Sequence, residues 1–162
     1  DPFLVAYLVT QGEGTVEEVI QKMMTEGGLA AISGIGFDMR DLQEAAESGH
    51  ERARLAIDCY VHSVRKYVGS WMAILGHVDA ITMQGGTGEA SPYIRKRVLE
   101  GLEEFGIVLD NVRNERSVGK EGKISADTSR TQIWVIQANE EIVVARECYK
   151  LLANKIPAGV TK

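Results

Sequence analysis

ITMQGGTGEASP, residues 81–92, is the stretch on which the reading of this chain turns. The apolar run over residues 78–83 predicts a buried strand. It ends in Gly85, Gly86, Thr87 and Gly88, and a helix is expected to open at once, with Ser91 as N-cap and Pro92 at its first position. Strand, glycine turn and helix start together aim backbone N–H groups and a positive helix end at an anion, usually a phosphate. Glycine suits such a turn because a Cβ blocks it and holds a ligand away from the backbone. Glycine turns also simply join strands to helices, so the pattern alone leaves both readings open.

Upstream, residues 51–75 predict the longest helix. Ala53, Ala56, Ile57, Tyr60, Val61, Val64, Val68, Trp71, Met72 and Leu75 keep helical spacing, and Gly76 ends the run. Tyr60 and Trp71 read as core, and Arg52, Arg54, Arg65 and Lys66 as a solvated side. Before it, Asp38 with Asp41 marks a helix start and Gly49 a helix end. Asp38 is either a plain N-cap or a ligand contact. Arg40 opposes the helix dipole in that first turn, which hints at a ligand or an ion pair. Residues 29–37, LAAISGIGF, predict a buried loop or short strand. Thr15 and Glu18 form a capping box, Val16, Val19, Ile20 and Met23 mark the apolar face behind it, and Gly27-Gly28 stops that helix. Asp1-Pro2 is expected to cap a short helix through residues 7–9. With no initiator Met, the chain is expected to be a fragment.

Downstream, Ile94, Val98, Leu102 and Phe105 place one helical face on a core, closed by Gly106. Residues 107–109 are expected as a short strand, 111–122 as a polar surface connection, and 123–125 and 131–136 as strands. Asn139 should cap a last helix carrying Ile142, Val143, Ala145, Leu151 and Leu152. The fold class is α/β, with more helix than strand. One domain is expected over residues 1–154, with a frayed tail at 155–162.

Composition narrows the function classes. At 162 residues, 44% hydrophobic and 25% charged, the chain is an ordinary globular sequence. A net charge of −5 argues against a nucleic-acid partner held by bulk electrostatics. It leaves an anionic small molecule open, because a local helix terminus outweighs a modest global field. Cys59 and Cys148 lie far apart, and His50, His62 and His77 form no metal-spaced group. Reduced thiols and a cytoplasmic location are expected. No apolar run is long enough for a membrane span, and no signal-peptide pattern opens the chain.

Three helix starts remain as candidate chemistry: Asp38, Ser91 and Asn139. In the third, Glu140 and Glu141 suit the helix dipole, and Glu140 is also placed to hold Mg²⁺ beside a nucleotide phosphate. A Walker A loop is excluded because the glycine turn contains no lysine. Residues 86–91 approach a dinucleotide fingerprint, with Asp110 near the spacing of a ribose-binding acid. Against it, a long helix precedes the strand, and Ser91-Pro92 puts a cap where close helix–sheet packing wants a glycine.

Four blocks together carry a resemblance: SGIGFDMRDLQEAA at 33–46, VRKYVGSW at 64–71, VDAITMQGGTGEAS at 78–91 and VIQANEEIVVAR at 135–146. In this order they resemble the acetate kinase family, over essentially the whole chain. The resemblance implies a ribonuclease-H-like mixed sheet with flanking helices, the fold of acetate and sugar kinases, heat-shock chaperones and actin. It implies the C-terminal domain of two, and reversible transfer of the ATP γ-phosphoryl group to acetate, giving acetyl phosphate and ADP. Propionate or another short carboxylate is the alternative acceptor, and a non-catalytic nucleotide-binding or oligomerisation module the alternative role. By position, Asp38, Met39 and Arg40 would contact adenine and ribose. Gly86, Thr87, Gly88, Glu89 and Ala90 would form the second nucleotide segment, and Glu140 would serve Mg²⁺. A homodimer is implied as well. Two departures stand out: Ala90 replaces the usual Asn, and Gln137-Ala138 replaces the usual Pro-Thr. The N-terminal half, with the acetate pocket and the groups around the transferred phosphoryl, has no counterpart here, so no catalytic residue is assigned.

Overall fold

Capping chemistry sets the helix boundaries of the computed structural model, which describes residues 3–153. The Asp1-Pro2 cap and the tail beyond residue 154 lie outside the described residues. The chain divides into two compact units, Asp1–His77 and Val78–Lys162.

The first unit is helical: α1 (Leu4–Thr10), α2 (Val16–Glu26), α3 (Gly28–Ser33), α4 (Met39–Glu47) and α5 (Glu51–Leu75). The capping box at α2 forms as expected, Glu18 N–H donating to Thr15 Oγ1 and Thr15 N–H to the Glu18 carboxylate. Residues 28–33 are helix α3, not the expected loop or strand. Leu, Ala and Ile favour helix there, and Gly34 ends it in the left-handed region at φ +77. Arg52, read from sequence as merely solvated, donates to the carbonyls of Ile32 and Ala31 at 2.8 and 2.7 Å. It thereby satisfies the last turn of α3. His50 caps α5 by accepting the Ala53 N–H at Nδ1.

The core of this unit lies under the first half of α5. Ala53, Ala56, Ile57 and Val61 are buried there with Val19, Leu42 and Ala46. Burying Ile57 and Leu42 contributes roughly 1.5–3 kcal/mol each. The second half of α5 differs from expectation. Tyr60 is only half-buried, and Trp71, Ile74 and Leu75 are exposed. Helical spacing identifies an apolar stripe; it does not say that a partner covers all of it.

The second unit holds β1 (Ala80–Met83), α6 (Gly85–Ala90), α7 (Pro92–Leu99), a 3₁₀ turn (Glu103–Phe105), α8 (Asn111–Arg116), β2 (Gly122–Lys123), β3 (Gln132–Val135) and α9 (Glu141–Ala153). The sheet order is β1-β3-β2, β1 running parallel and β2 antiparallel to β3. Ile133 and Val135 of the central strand are fully buried, with Ile94, Val98, Leu99, Ile107 and Ile124 around them. β1 is shorter than predicted and only half-buried, as an edge strand. Residues 107–109 make one isolated bridge, Leu109 to Ser125, instead of a strand. Gly101, at φ +77, breaks the helix expected to run on to Phe105, which is exposed. The connection 111–122 contains α8, whose Asn114 is buried. The apolar side chains of α9, from Ile142 to Leu152, are exposed.

Candidate functional site

Asp38, Met39 and Arg40 form the head of α4 in the first unit. Asp38 has extended backbone, φ −68 and ψ 121, and its Oδ1 accepts the Arg40 N–H at 2.9 Å, the expected N-cap. The arginine that seemed misplaced in this turn folds back onto the cap: its Nε and Nη2 donate to Oδ1 and Oδ2 of Asp38 at 3.2 and 2.8 Å. Of the two explanations that Arg40 suggested, the structure shows the ion pair. Hydrogen bonding from the Arg40 side chain, and then from its N–H, lowers the Asp38 pKa to about 2. The Arg40 side chain is 89% exposed, so this local pair remains open to an incoming group.

The candidate segment of the second unit is not a loose turn. Residues 85–90 coil into α6, with Gly85 entering at φ +73. Gly88 packs against the end of β1, where a Cβ would meet the Met83 carbonyl carbon at 3.2 Å. Glu89 braces the segment: its Oε1 accepts the Gly85 N–H at 2.9 Å and the Ala138 N–H at 2.8 Å. Of the two readings the glycine pattern left open, the first contact favours the plain joint over the anion cradle. A carboxylate of the same helix already takes the Gly85 N–H, and its negative charge opposes a phosphate there. The second contact ties α6 to the chain just before Glu140. Structure therefore unites the 86–90 segment with the approach to Glu140.

Arg95 and Asn114 were missed in the sequence. Arg95 lies on α7 and is 1% exposed. Its Nη1 donates to the carbonyls of Gly88 and Glu89, both at 2.9 Å, its Nε to Asn114 Oδ1 and its Nη2 to Asn114 O, both at 2.7 Å. Asn114 Nδ2 donates in turn to the Pro92 carbonyl. Burial lowers the Arg95 pKa, opposed by the nearby Glu115 charge; the guanidinium stays charged. A signal did exist for Arg95. It stands three residues before Val98 and four before Leu99, a position on the buried side of the helix. Asn114, in a polar stretch, carried none.

Asn139 Oδ1 accepts the Ile142 N–H at 3.2 Å, so the predicted cap forms. Glu140 is exposed beside it. Among the described residues no three His, Cys, Asp or Glu side chains gather into a metal group. Mg²⁺ commonly uses one or two carboxylates with substrate phosphates and water supplying the rest. Glu140 fits that arrangement and not a protein-only cage. Asp110, the acid of the dinucleotide reading, caps α8 by accepting the Arg113 N–H at 3.0 Å. Cys59 and Cys148 are free thiols. No helix among the described residues is long and apolar enough to cross a membrane. An open groove lined by Gly12, Glu13, Gly14, Glu18, Gln21 and Lys22 contains none of the candidate residues.

Comparison with known proteins bears on all of these segments together. The acetate kinase of Finegoldia magna is 40% identical over 151 residues, 93% of this chain and 38% of that protein. Among solved structures, the acetate kinase of Porphyromonas gingivalis superposes with a TM-score of 0.81 at 32% identity, covering 94% of this chain and 38% of the other. A propionate kinase from Francisella tularensis gives 0.78 at 34% identity, covering 91% and 37%. The chain thus spans well under half the length of these relatives, and its mixed sheet with flanking helices is of their α/β type. The model of the acetokinase family matches residues 1–146, and the chain belongs to that family.

Proposed function

We propose that residues 1–154 are the C-terminal, nucleotide-binding domain of an acetate kinase that transfers the ATP γ-phosphoryl group reversibly to acetate. In the forward direction a carboxylate oxygen of acetate attacks the γ-phosphorus. The bond from that phosphorus to the β–γ bridging oxygen breaks, and acetyl phosphate and ADP form. Loose phosphoryl-transfer transition states need little covalent help; they need alignment and charge neutralisation. This chain supplies alignment. Asp38, Met39 and Arg40 hold adenine and ribose, Met39 packing on the purine face. Gly86, Thr87, Gly88, Glu89 and Ala90 lie against the nucleoside, with Ala90 offering no polar group. Glu140 holds Mg²⁺, directly or through its waters, and bound Mg²⁺ neutralises phosphate oxygens. The acetate pocket and the groups around the transferred phosphoryl belong to an N-terminal domain. The enzyme is read as a cytoplasmic homodimer.

The observation that carries this reading is the Glu89 carboxylate, which draws the start of α6 and the residue two before Glu140 onto one oxygen. The shared anchor of the proposed nucleoside segment and the approach to Glu140 supports a joint role in positioning Mg·ATP. The test is acyl-phosphate formation by the full-length protein, trapped with hydroxylamine, across acetate, propionate and butyrate. Acetate is expected to give the highest kcat/KM. Propionate in first place would favour the second reading, which the Francisella tularensis neighbour supports. The 162-residue piece alone is expected to form no acetyl phosphate. Displacement of bound nucleotide by NAD but not by Mg·ATP would favour the dinucleotide reading.

A further inference from the structure

Three of the six residues of α6 are glycine. Each costs roughly 1 kcal/mol relative to alanine in a helix, and isolated helices this short do not persist in water. The segment therefore owes its shape to contacts from elsewhere in the unit. Glu89 holds its beginning. Its end is held by Arg95, whose hydrogen-bond partners are all neutral: two carbonyls of α6, and the carbonyl and side-chain oxygens of Asn114. Fully buried arginine is rare without paired partners. The carbonyls at a helix C-terminus carry partial negative charge and offset its desolvation. Asn114 is itself fastened to Pro92 O at 2.9 Å, so α6, α7 and α8 meet around one guanidinium.

We infer that Arg95, locked in place by Asn114, is a positioning residue for the nucleotide: it holds α6 in its binding shape before ATP arrives. This rests on the reading of residues 86–90 as the nucleoside segment. A loose glycine-rich segment would have to be ordered by the ligand, which lowers affinity; a pre-braced one would not. The effect falls on ATP and not on the carboxylate acceptor.

The test uses the full-length protein. Asn114→Ala removes the Oδ1 acceptor and leaves Arg95 Nε without its partner. The expected result is a KM for ATP raised about tenfold, with the KM for acetate unchanged. Hydrogen exchange over residues 85–90, measured without nucleotide, should quicken. Asn114→Asp keeps an acceptor for Arg95 and should recover most of the ATP KM. Where the alanine variant does not fold, Asn114→Ser, with its shorter acceptor, carries the same comparison. A merely structural role predicts lower Tm and lower kcat with an unmoved ATP KM, and that outcome overturns the inference. If the unaltered protein shows no Mg·ATP binding by calorimetry, the functional reading fails and takes this inference with it. If it binds, and neither ATP KM nor exchange responds, the inference alone fails.

Discussion

At the head of α4, Asp38 finds its partner, Arg40, two residues away; at α6, Glu89 reaches 49 positions along the chain to Ala138. Both segments are proposed as nucleotide contacts, and they are held by different means. The first is a local device, an N-cap and an ion pair built from neighbouring residues and open to solvent. The second has poor helix formers and takes its shape from Glu89, Arg95 and Asn114. A local device survives changes elsewhere and adds little to global stability, because exposed ion pairs are weak. A tertiary brace is bound up with the stability of its whole unit.

The sharpest way to break this contrast is Arg95→Ala. It removes the guanidinium donors to Gly88 O, Glu89 O and both Asn114 oxygens and leaves a cavity. A loss of about 3–5 kcal/mol is expected in urea unfolding. A loss below about 1 kcal/mol would show that α6 stands by itself. Glu89→Ala comes next, orphaning the Gly85 and Ala138 N–H groups at about 2–3 kcal/mol. Glu89→Gln keeps an amide oxygen as acceptor and should cost only about 1 kcal/mol, because neutral hydrogen bonds are roughly half as strong as charged ones. Equal losses in the two variants would mean that the side chain packs rather than braces.

The smallest effect lies at Asp38 and is read by titration. Its folded pKa of about 2 lies below the ordinary aspartate value of 3.8. A depressed carboxylate contributes stability that is fully present above 3.8 and is lost as pH falls through 3.8 toward 2. Carboxyl NMR should find Asp38 titrating near 2, and Arg40→Gln should return it toward 3.8. An unmoved titration in that variant would remove Arg40 as the cause. Melting temperature at neutral pH should scarcely change, in contrast to the Arg95 and Glu89 variants.

Most helix boundaries were legible because their signals are local. The Thr15–Glu18 box, Asp38, Ser91 and Asn139 all cap as their sequence neighbours require. α5 was legible over its full length from its 3.6-residue period, ending at Gly76. The failures share a cause. Residues 29–37 read as loop because their glycines dominate the pattern, but Arg52, twenty residues on, completes α3. The glycine turn left an anion cradle and a plain joint both open because residue order alone does not say that the Glu89 carboxylate folds back onto the Gly85 N–H. Trp71 at the end of α5 read as core, while it is exposed; periodicity marks what can be buried, not what is.

By itself, then, the sequence determined α2, α4, α5 and the starts of α7 and α9, since each rests on residue types within a few positions of one another, and four blocks in order pointed to the family. Only the tertiary structure decided that α6 is a braced helix, that Arg95 meets its carbonyls, and that Glu89 joins it to the Glu140 approach. Those contacts span 4 to 49 positions, and the longest of them arises where β1 and β3 pair in parallel and bring the chain after each strand to the same end of the sheet.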